Sequence, residues 1–369
     1  MHRFALSLAL TLLAAPALAT DGVLEINQTC AENTGCFAGD TASFPVTLST
    51  PGSYRLTSNL SNGDENLRTI EVTADNVTID LNGFSVLGPV TCTGVGPGIS
   101  CSPQGSGQGI YAAATFRTTV LNGTVRGAGN DGLHLGDNCR VENVTAQNNG
   151  RSGINGTNFC SVRNSSARGN VLIGIELGTG TEVKDSLSAE NKTNGVQLGT
   201  DSKAIGVRAR ANNFGLVVDG GSLVRASVAE GNLNHGIRIL GPGTRIESNV
   251  TTRNNVGIKI NADGCTVIGN TSTDNNSDGI ASGDIAITFY SHGVIDGNHI
   301  ARNAQRGLLV TGTNNLIVRN TSQANAVAYF VAPGNQVGSV ISGVDATGVS
   351  GSSGGNLDAT IGPWANFAR

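Results

Sequence analysis

One short motif recurs at a nearly constant interval through most of this chain. A glycine followed by an aliphatic residue occurs at Gly132-Leu133, Gly153-Ile154, Gly174-Ile175, Gly195-Val196, Gly215-Leu216, Gly236-Ile237, Gly257-Ile258, Gly279-Ile280 and Gly307-Leu308. The steps are 21, 21, 21, 20, 21, 21, 22 and 28 residues. An asparagine runs in the same register a few residues earlier, at Asn149, Asn170, Asn191, Asn212, Asn232, Asn254, Asn275 and Asn303. Two registers held this long mean that each repeat is one structural unit stacked on its neighbours.

The pattern inside the unit identifies the element. Leu133-His134-Leu135, Ile175-Glu176-Leu177, Val196-Gln197-Leu198, Ile237-Arg238-Ile239 and Ile258-Lys259-Ile260 alternate with a period of two, which is strand spacing. A second aliphatic row follows at Val141, Val162, Val183, Val224, Ile246, Val267, Ile295 and Val318. Strands this short bury a core only when stacked on copies of themselves. A leucine-rich repeat has a similar period, but its Leu pattern and helical segment are missing. A coil of three short strands and turns fits, with Asn and Gly supplying the tight or left-handed corners. Asn side chains stacked at roughly 4.8 Å can then hydrogen-bond as a ladder.

The Asn-x-x-x-Gly-Ile pattern, followed by alternating aliphatics and a later Val-x-Asn, resembles the right-handed parallel β-helix repeat. Pectate-lyase-like polysaccharide enzymes, mannuronan epimerases and periplasmic NosD-like proteins share that repeat. The resemblance runs from Tyr54 to Val344. It implies an all-β, right-handed single-stranded parallel β-helix with coils of about 21 residues. It is specific for fold and weak for activity, because unrelated chemistries share the scaffold.

Four segments are expected. Residues 1–19 read as a secretory signal peptide, with a basic Arg3, an apolar run from Phe4 to Leu13 and Ala17-Leu18-Ala19 at the cleavage site. Residues 20–53 form an N-terminal cap, 54–345 the β-helix and 346–369 a C-terminal cap, whose Trp364 and Phe367 cover the open end. The stretch Pro89–Gly107 reads as a pinned loop, and the 28-residue step marks a protruding insertion at 284–291. Nothing after the leader is apolar for long enough to span a membrane, so the mature chain is expected to be secreted or periplasmic. Without Arg3 it carries 22 basic against 27 acidic side chains, a net charge of −5, which gives no footprint for nucleic acid. Oligomeric state is not legible.

Seven cysteines in an exported chain point to disulfides. Cys30 with Cys36 and Cys92 with Cys101 can staple local loops. Cys139 and Cys160 share one repeat position on successive coils, about 5 Å apart, and Cys265 is left over. Zinc is the competing reading, but paired Cys-x-x-Cys knuckles are missing.

The outward position of the Gly-Ile strand reads His134, Asn155, Glu176, Gln197, Val217, Arg238, Lys259, Ala281 and Leu309. From His134 to Lys259 the row spans roughly 25–30 Å, room for several sugar units. β-Elimination of a uronate needs a base for the C5 proton, a cation for the carboxylate and an acid for the leaving oxygen. Arg238 and Lys259 are candidates for base and acid, as in some β-helix lyases, and His134 is a further catalytic candidate in the same row. Asn155, Glu176, Gln197 and Arg238 are candidate substrate contacts, and Glu176 with Asn155 candidate calcium ligands. The competing reading is a row of solvated charges on a strand face. Asp137, Asp201, Asp219, Asp263 and Asp284 could also gather calcium, although turn formation is the usual reason for such residues. His235, just before a repeat glycine, is expected in a turn. Copper, implied by the NosD-like resemblance, is disfavoured because the sole Met is Met1 and no His pair has ligand spacing. The expected function is binding or processing of an extracellular acidic polysaccharide, with lyase or epimerase chemistry if it is an enzyme. The alternative is a non-catalytic surface, adhesive or structural module.

Overall fold

The computed structural model describes residues 22–275, 285–289, 291–342, 349–350, 356–357 and 363–368. The chain winds into a parallel β-solenoid of about 13 turns with about 21 residues per turn and almost no helix. Each coil contributes three strands. The first strands of the coils stack into a 14-stranded sheet, here face 1, which runs from Val46–Leu48 to Val349–Ser350. The second and third strands form faces 2 and 3, which belong to one long sheet bent along a corner. Thr119–Arg126 and Arg140–Gln147 run through both faces, bending at Asn122 and Asn143, which take positive φ values of 56° and 56°.

The alternation read in the sequence sets which side chains fill the bore. Leu133, Ile154, Ile175, Val196, Leu216, Ile237 and Ile258 stack along face 1 and are completely buried. Val141, Val162, Val183, Val224, Ile246 and Val267 do the same along face 2. Every such side chain contributes roughly 1.5–3 kcal/mol of apolar burial. Backbone pairing is continuous between coils: the Leu133 N–H donates to Gly153 O at 3.0 Å and Ile154 N–H to Gly174 O at 2.9 Å.

The asparagine register forms a buried ladder. Asn149, Asn170, Asn191, Asn212, Asn232, Asn254, Asn275, Asn303 and Asn325 follow one another along the corner before face 1. From Asn170 onward each Oδ1 accepts both the backbone N–H and the Nδ2 of the asparagine one coil back, while Asn149 Oδ1 accepts from Ala128 N; Asn212 Oδ1 lies 2.9 Å from Asn191 N and 3.0 Å from its Nδ2. The left-handed backbone belongs to the residue just before the ladder, as at Asn148, Glu190, Ala211 and Arg253. The ladder asparagine therefore satisfies buried backbone and leaves the turn to its neighbour. A second ladder, Asn249, Asn270, Asn298, Asn320 and Asn366, runs between faces 2 and 3.

Three disulfides join Cys30 to Cys36, Cys92 to Cys101 and Cys139 to Cys160, and Cys265 is a buried free thiol. The Cys139–Cys160 bridge lies inside the bore and explains an irregularity of face 1. The inward position held by Leu135 and Leu177 is Gly156 between them. A Cβ there would lie 2.9 Å from Cys139 Sγ and 3.1 Å from Cys160 Sγ.

Several expectations change. Gly279-Ile280, Ala281 and Asp284 lie outside the described residues, and the coil strand that follows Lys259 is Ile285–Phe289, with Lys259 paired to Thr288. The extra residues of the long step therefore precede this strand, and 285–289 belong to the solenoid wall. A Gly-Ile match inside the added segment misplaced the register. Stacking begins before Tyr54: Val23–Ile26 pairs with Gly52–Leu56, and Val46–Leu48 with Ile70–Val72, around a short helix at Gln28–Asn33. At the other end Trp364 is 49% exposed, against Arg319, and does not cover the core. Asn366–Ala368 instead adds a strand, and buried Asn366 continues the second ladder. The signal peptide lies outside the described residues. No helix among the described residues is long and apolar enough to cross a membrane.

Candidate functional site

Face 1 carries the expected outward row, in the order Glu71, Tyr111, His134, Asn155, Glu176, Gln197, Val217, Arg238, Lys259, Leu309 and Phe330, with Thr288 the backbone partner of Lys259 and Leu309. His134, Asn155, Glu176, Gln197, Arg238 and Lys259 are all half-buried. Val217 points the same way but is only 4% exposed, so neighbouring side chains cover the middle of the row. A parallel row three residues earlier on each coil holds Gln108, Asp131, Ser152, Asn194, Phe214 and His235. The two rows converge in two clusters.

The first cluster surrounds Asp131. Its carboxylate is buried, which alone would push its pKa up. The His134 and Ser152 hydrogen bonds and the Arg151 charge outweigh burial and hold it below the ordinary carboxylate value. His134 Nδ1 lies 3.2 Å from Asp131 Oδ2, Arg151 Nη1 2.9 Å, and Ser152 N donates to Oδ1 at 2.9 Å. Asn155 Nδ2 reaches the same carboxylate at 3.4 Å, and Ser152 Oγ donates to Glu176 Oε2 at 3.2 Å. Asp131 therefore fixes one tautomer of His134, with the proton on Nδ1 and Nε2 free to accept. On the next rung the Tyr111 ring meets His134 edge-on at 5.5 Å, and Arg68 lies 3.5 Å from the Tyr111 ring centre.

The second cluster lies roughly 24 Å farther along the stack, five rungs at strand spacing. Arg238 and Lys259 are partners on adjacent strands. The Phe214 and His235 rings are 5.2 Å apart, and the Arg238 guanidinium carbon is 5.3 Å from the Phe214 ring centre. His235 opens the strand His235–Ile239 and is half-buried, so the expected turn position is corrected. Strands in this part of face 1 are five residues long, which draws the residue before the repeat glycine into the sheet. Burial, then Lys259, then Arg238 push the His235 imidazole down to about 4, leaving it neutral over most of the acid range.

Pairing distinguishes this cluster from most of faces 2 and 3, and on face 1 Arg306 likewise meets no carboxylate among the described residues. On faces 2 and 3 most arginines lie against a carboxylate, such as Arg163 on Glu182 at 2.7 Å, Arg208 on Glu230 at 3.0 Å and Arg302 on Asp274 at 2.7 Å. Among the described residues Arg238 and Lys259 meet no carboxylate. Arg238 Nε, His235 Nδ1 and Asn255 Oδ1 are enclosed without a protein hydrogen-bond partner.

The loop Pro89–Gly107 contains an antiparallel hairpin, Thr91–Thr93 with Ser100–Ser102. It borders face 1 along the preceding corner, with Gly105 N on Gly129 O at 3.1 Å, Gln104 Nε2 on Gly150 O at 3.0 Å and Gly96 N on Glu190 O at 3.1 Å. On the opposite corner Phe116 and Phe159 are 50% and 61% exposed. Three turn aspartates hold backbone: Asp219 accepts from Gly220 N in its own turn, while Asp137 accepts from Asn158 N and Asp263 from Ser291 N in the turn of the following coil. Among the described residues no group of three or more His, Cys, Asp and Glu side chains comes together.

Asp131, Arg151, Tyr111 and Phe214 were not singled out in the sequence, and His235 was read there only as a turn residue. Aligning the position three residues before the outward row would have found Asp131, Phe214 and His235. Tyr111 is hidden because irregular coils interrupt the 21-residue step before His134.

A sequence model of the family described as right handed beta helix region matches residues 214–361. No curated protein matches the chain. Among solved structures, the Dettilon tailspike protein is similar at 14% identity and a TM-score of 0.45, covering 87% of this chain; this chain spans 59% of that one. The A-module of an Azotobacter vinelandii mannuronan C-5 epimerase is similar at 15% identity and a TM-score of 0.47, covering 92% of this chain and 94% of that one. A periplasmic alginate epimerase is similar at 13% identity and a TM-score of 0.44, covering 94% of this chain and 82% of that one. At such identities no site residue transfers.

Proposed function

We propose, for a chain that belongs to the right-handed parallel β-helix superfamily, that face 1 binds an acidic polysaccharide outside the cytoplasm and processes it by proton transfer beside a uronate carboxylate. The observation that carries this reading is the pair Arg238 and Lys259, adjacent on the sheet without a carboxylate among the described residues, with Arg238 Nε left unmet. Half-buried cations that meet no carboxylate among the described residues call for an anion, and a guanidinium holds a carboxylate through directed N–H donors. Arg238 is assigned to carboxylate binding rather than proton transfer, because a guanidinium stays protonated. Lys259 joins it. Asn155, Glu176 and Gln197 supply hydroxyl partners along the row, and no step requires calcium.

Proton transfer is assigned to the Asp131 cluster. His134 Nε2 takes the C5 proton, the C5 electron pair forms the C4–C5 double bond, and the C4–O bond breaks. Tyr111 donates the proton that the leaving oxygen needs, and Arg151 faces the carboxylate of the reacting sugar. Asp131 stabilises the imidazolium that forms. Roughly 24 Å between the clusters equals about five sugar units at a spacing near that of the strands. That distance also favours a second reading, in which the clamp serves a binding module without turnover.

The test is calorimetric binding of tetrameric mannuronate and galacturonate to the mature chain, with ultraviolet absorbance following unsaturated product. Binding should weaken by roughly tenfold or more in Arg238→Ala with Lys259→Ala, the scale of a lost charged hydrogen bond. His134→Gln should abolish product and keep binding. Unchanged binding in the double variant contradicts the assignment.

A further inference from the structure

The second cluster contains more than a carboxylate clamp requires. His235 stands three residues before Arg238 on the same strand, and its ring packs on Phe214 from the preceding coil. Its partner on the following coil is Val256, which is followed on that strand by Lys259. The charged groups acting on it are therefore Arg238 from its own strand and Lys259 from the next, both positive. Phe214 and Val256 supply no charge. Among the described residues no carboxylate is in ion-pair contact with either cation. A ring nitrogen of His235 and the Arg238 Nε, three residues apart on one strand, are both enclosed and unmet.

We propose that this cluster is a proton-linked anion site, in which docking of a sugar carboxylate between Arg238 and Lys259 is coupled to uptake of one proton by His235. This deepens the reading above and rests on it.

Two effects of a docked sugar oppose each other at His235. Covering the ring removes water and disfavours the imidazolium. A carboxylate brought against both cations adds a negative charge and cancels much of their repulsion. The ring is already largely enclosed and has little water left to lose, and burial with the two cations holds it down near 4. An opposite charge within about 4–6 Å raises the proton affinity of a neighbour by roughly tenfold to a thousandfold. The electrostatic effect therefore wins, and the imidazole titrates higher in the complex than in the free chain. Between those two values binding takes up a proton, so affinity for the acidic sugar rises as pH falls through that window. Above it binding is proton-independent, because His235 stays neutral in both states. The protonated ring gains an N–H, which a sugar oxygen can accept.

The test is isothermal calorimetry of the mature chain with tetramannuronate at about pH 5.5 in three buffers of different ionisation enthalpy, with neutral cellotetraose as the control. The observed enthalpy should vary with buffer in proportion to an uptake of roughly 0.2 to 0.9 proton per bound probe, the range a tenfold to thousandfold rise in proton affinity gives at this pH. In His235→Gln binding should persist with the buffer dependence gone. Imidazole NMR titration of the free chain should place the His235 resonance, identified by its loss in that variant, near 4, and the probe should move it upward. Binding without proton uptake, or uptake unchanged in His235→Gln, overturns the proton link and leaves the polysaccharide reading standing. No binding of the uronate, or equal binding of cellotetraose, overturns both.

Discussion

Asn212 shows what a single side chain does in this architecture. It is completely buried, and its amide makes four hydrogen bonds. It accepts from Asn191 N and Nδ2, and donates to Asn232 Oδ1 and to Ser188 O at 3.1 Å. Truncation takes a partner from four buried groups. Asn191 Nδ2 keeps Ala167 O and Ser188 Oγ, and Asn232 Oδ1 keeps the Asn212 backbone N, which leaves Asn191 N and Ser188 O to lose theirs at roughly 1–3 kcal/mol each less whatever water recovers. Asn212→Ala should therefore lower unfolding stability by about 2–4 kcal/mol, measured by urea denaturation with two probes because a repeat array need not unfold in one step. A loss under about 0.5 kcal/mol would mean that the ladder is ornamental to stability. The ladder was legible in the sequence because an identical residue at a fixed step has nowhere to go but onto its copy. Asp131 was not legible. Its importance comes from Arg151, Ser152 and Asn155, which reach it only because the coil brings residues 20 to 24 positions later alongside.

Two strands and a disulfide in the bore compete for the space above Gly156. The bridge occupies the volume that an aliphatic side chain fills on the coils either side, at Leu135 and Leu177. Gly156→Ala puts its methyl within 2.9 Å of Cys139 Sγ and of Leu177 Cδ2, an overpacking that costs roughly 1–3 kcal/mol. The penalty should shrink in a background with Cys139→Ala and Cys160→Ala, and thermal unfolding of the four chains forms a double-mutant cycle. Additive effects would show that glycine is present there for backbone reasons alone. The strand repeat disclosed the Cys139–Cys160 stack, because both residues hold one register position. It misplaced the strand after Lys259, because periodicity cannot tell a Gly-Ile pair in an added segment from one in the wall. His235 was lost for the related reason that strand length varies along face 1, from three residues at Leu133–Leu135 to five at His235–Ile239.

At the scale of the whole molecule, charge is sorted by face. Faces 2 and 3 present arginines laid against glutamates and aspartates, exposed pairs worth little to stability, and Glu190, Glu230 and Glu247 each serve two arginines. Face 1 holds the buried Asp131 with its histidine at one level and two cations free of carboxylate partners among the described residues at another, bordered by the hairpin loop and by Phe116 and Phe159. The sequence placed His134, Asn155, Glu176, Gln197, Arg238 and Lys259 in one line but was silent on which of them lacked partners, because pairing depends on rotamers and on neighbours a coil away. The central claim is that an acidic glycan lies along this face with a carboxylate at Arg238 and Lys259. A crystal structure of the mature chain with a hexameric uronate tests it most directly. The account expects the sugar along face 1 with one carboxylate hydrogen-bonded to Arg238. An ordered hexamer on face 2 or face 3, or on face 1 with its carboxylates turned away from Arg238 and Lys259, would contradict it.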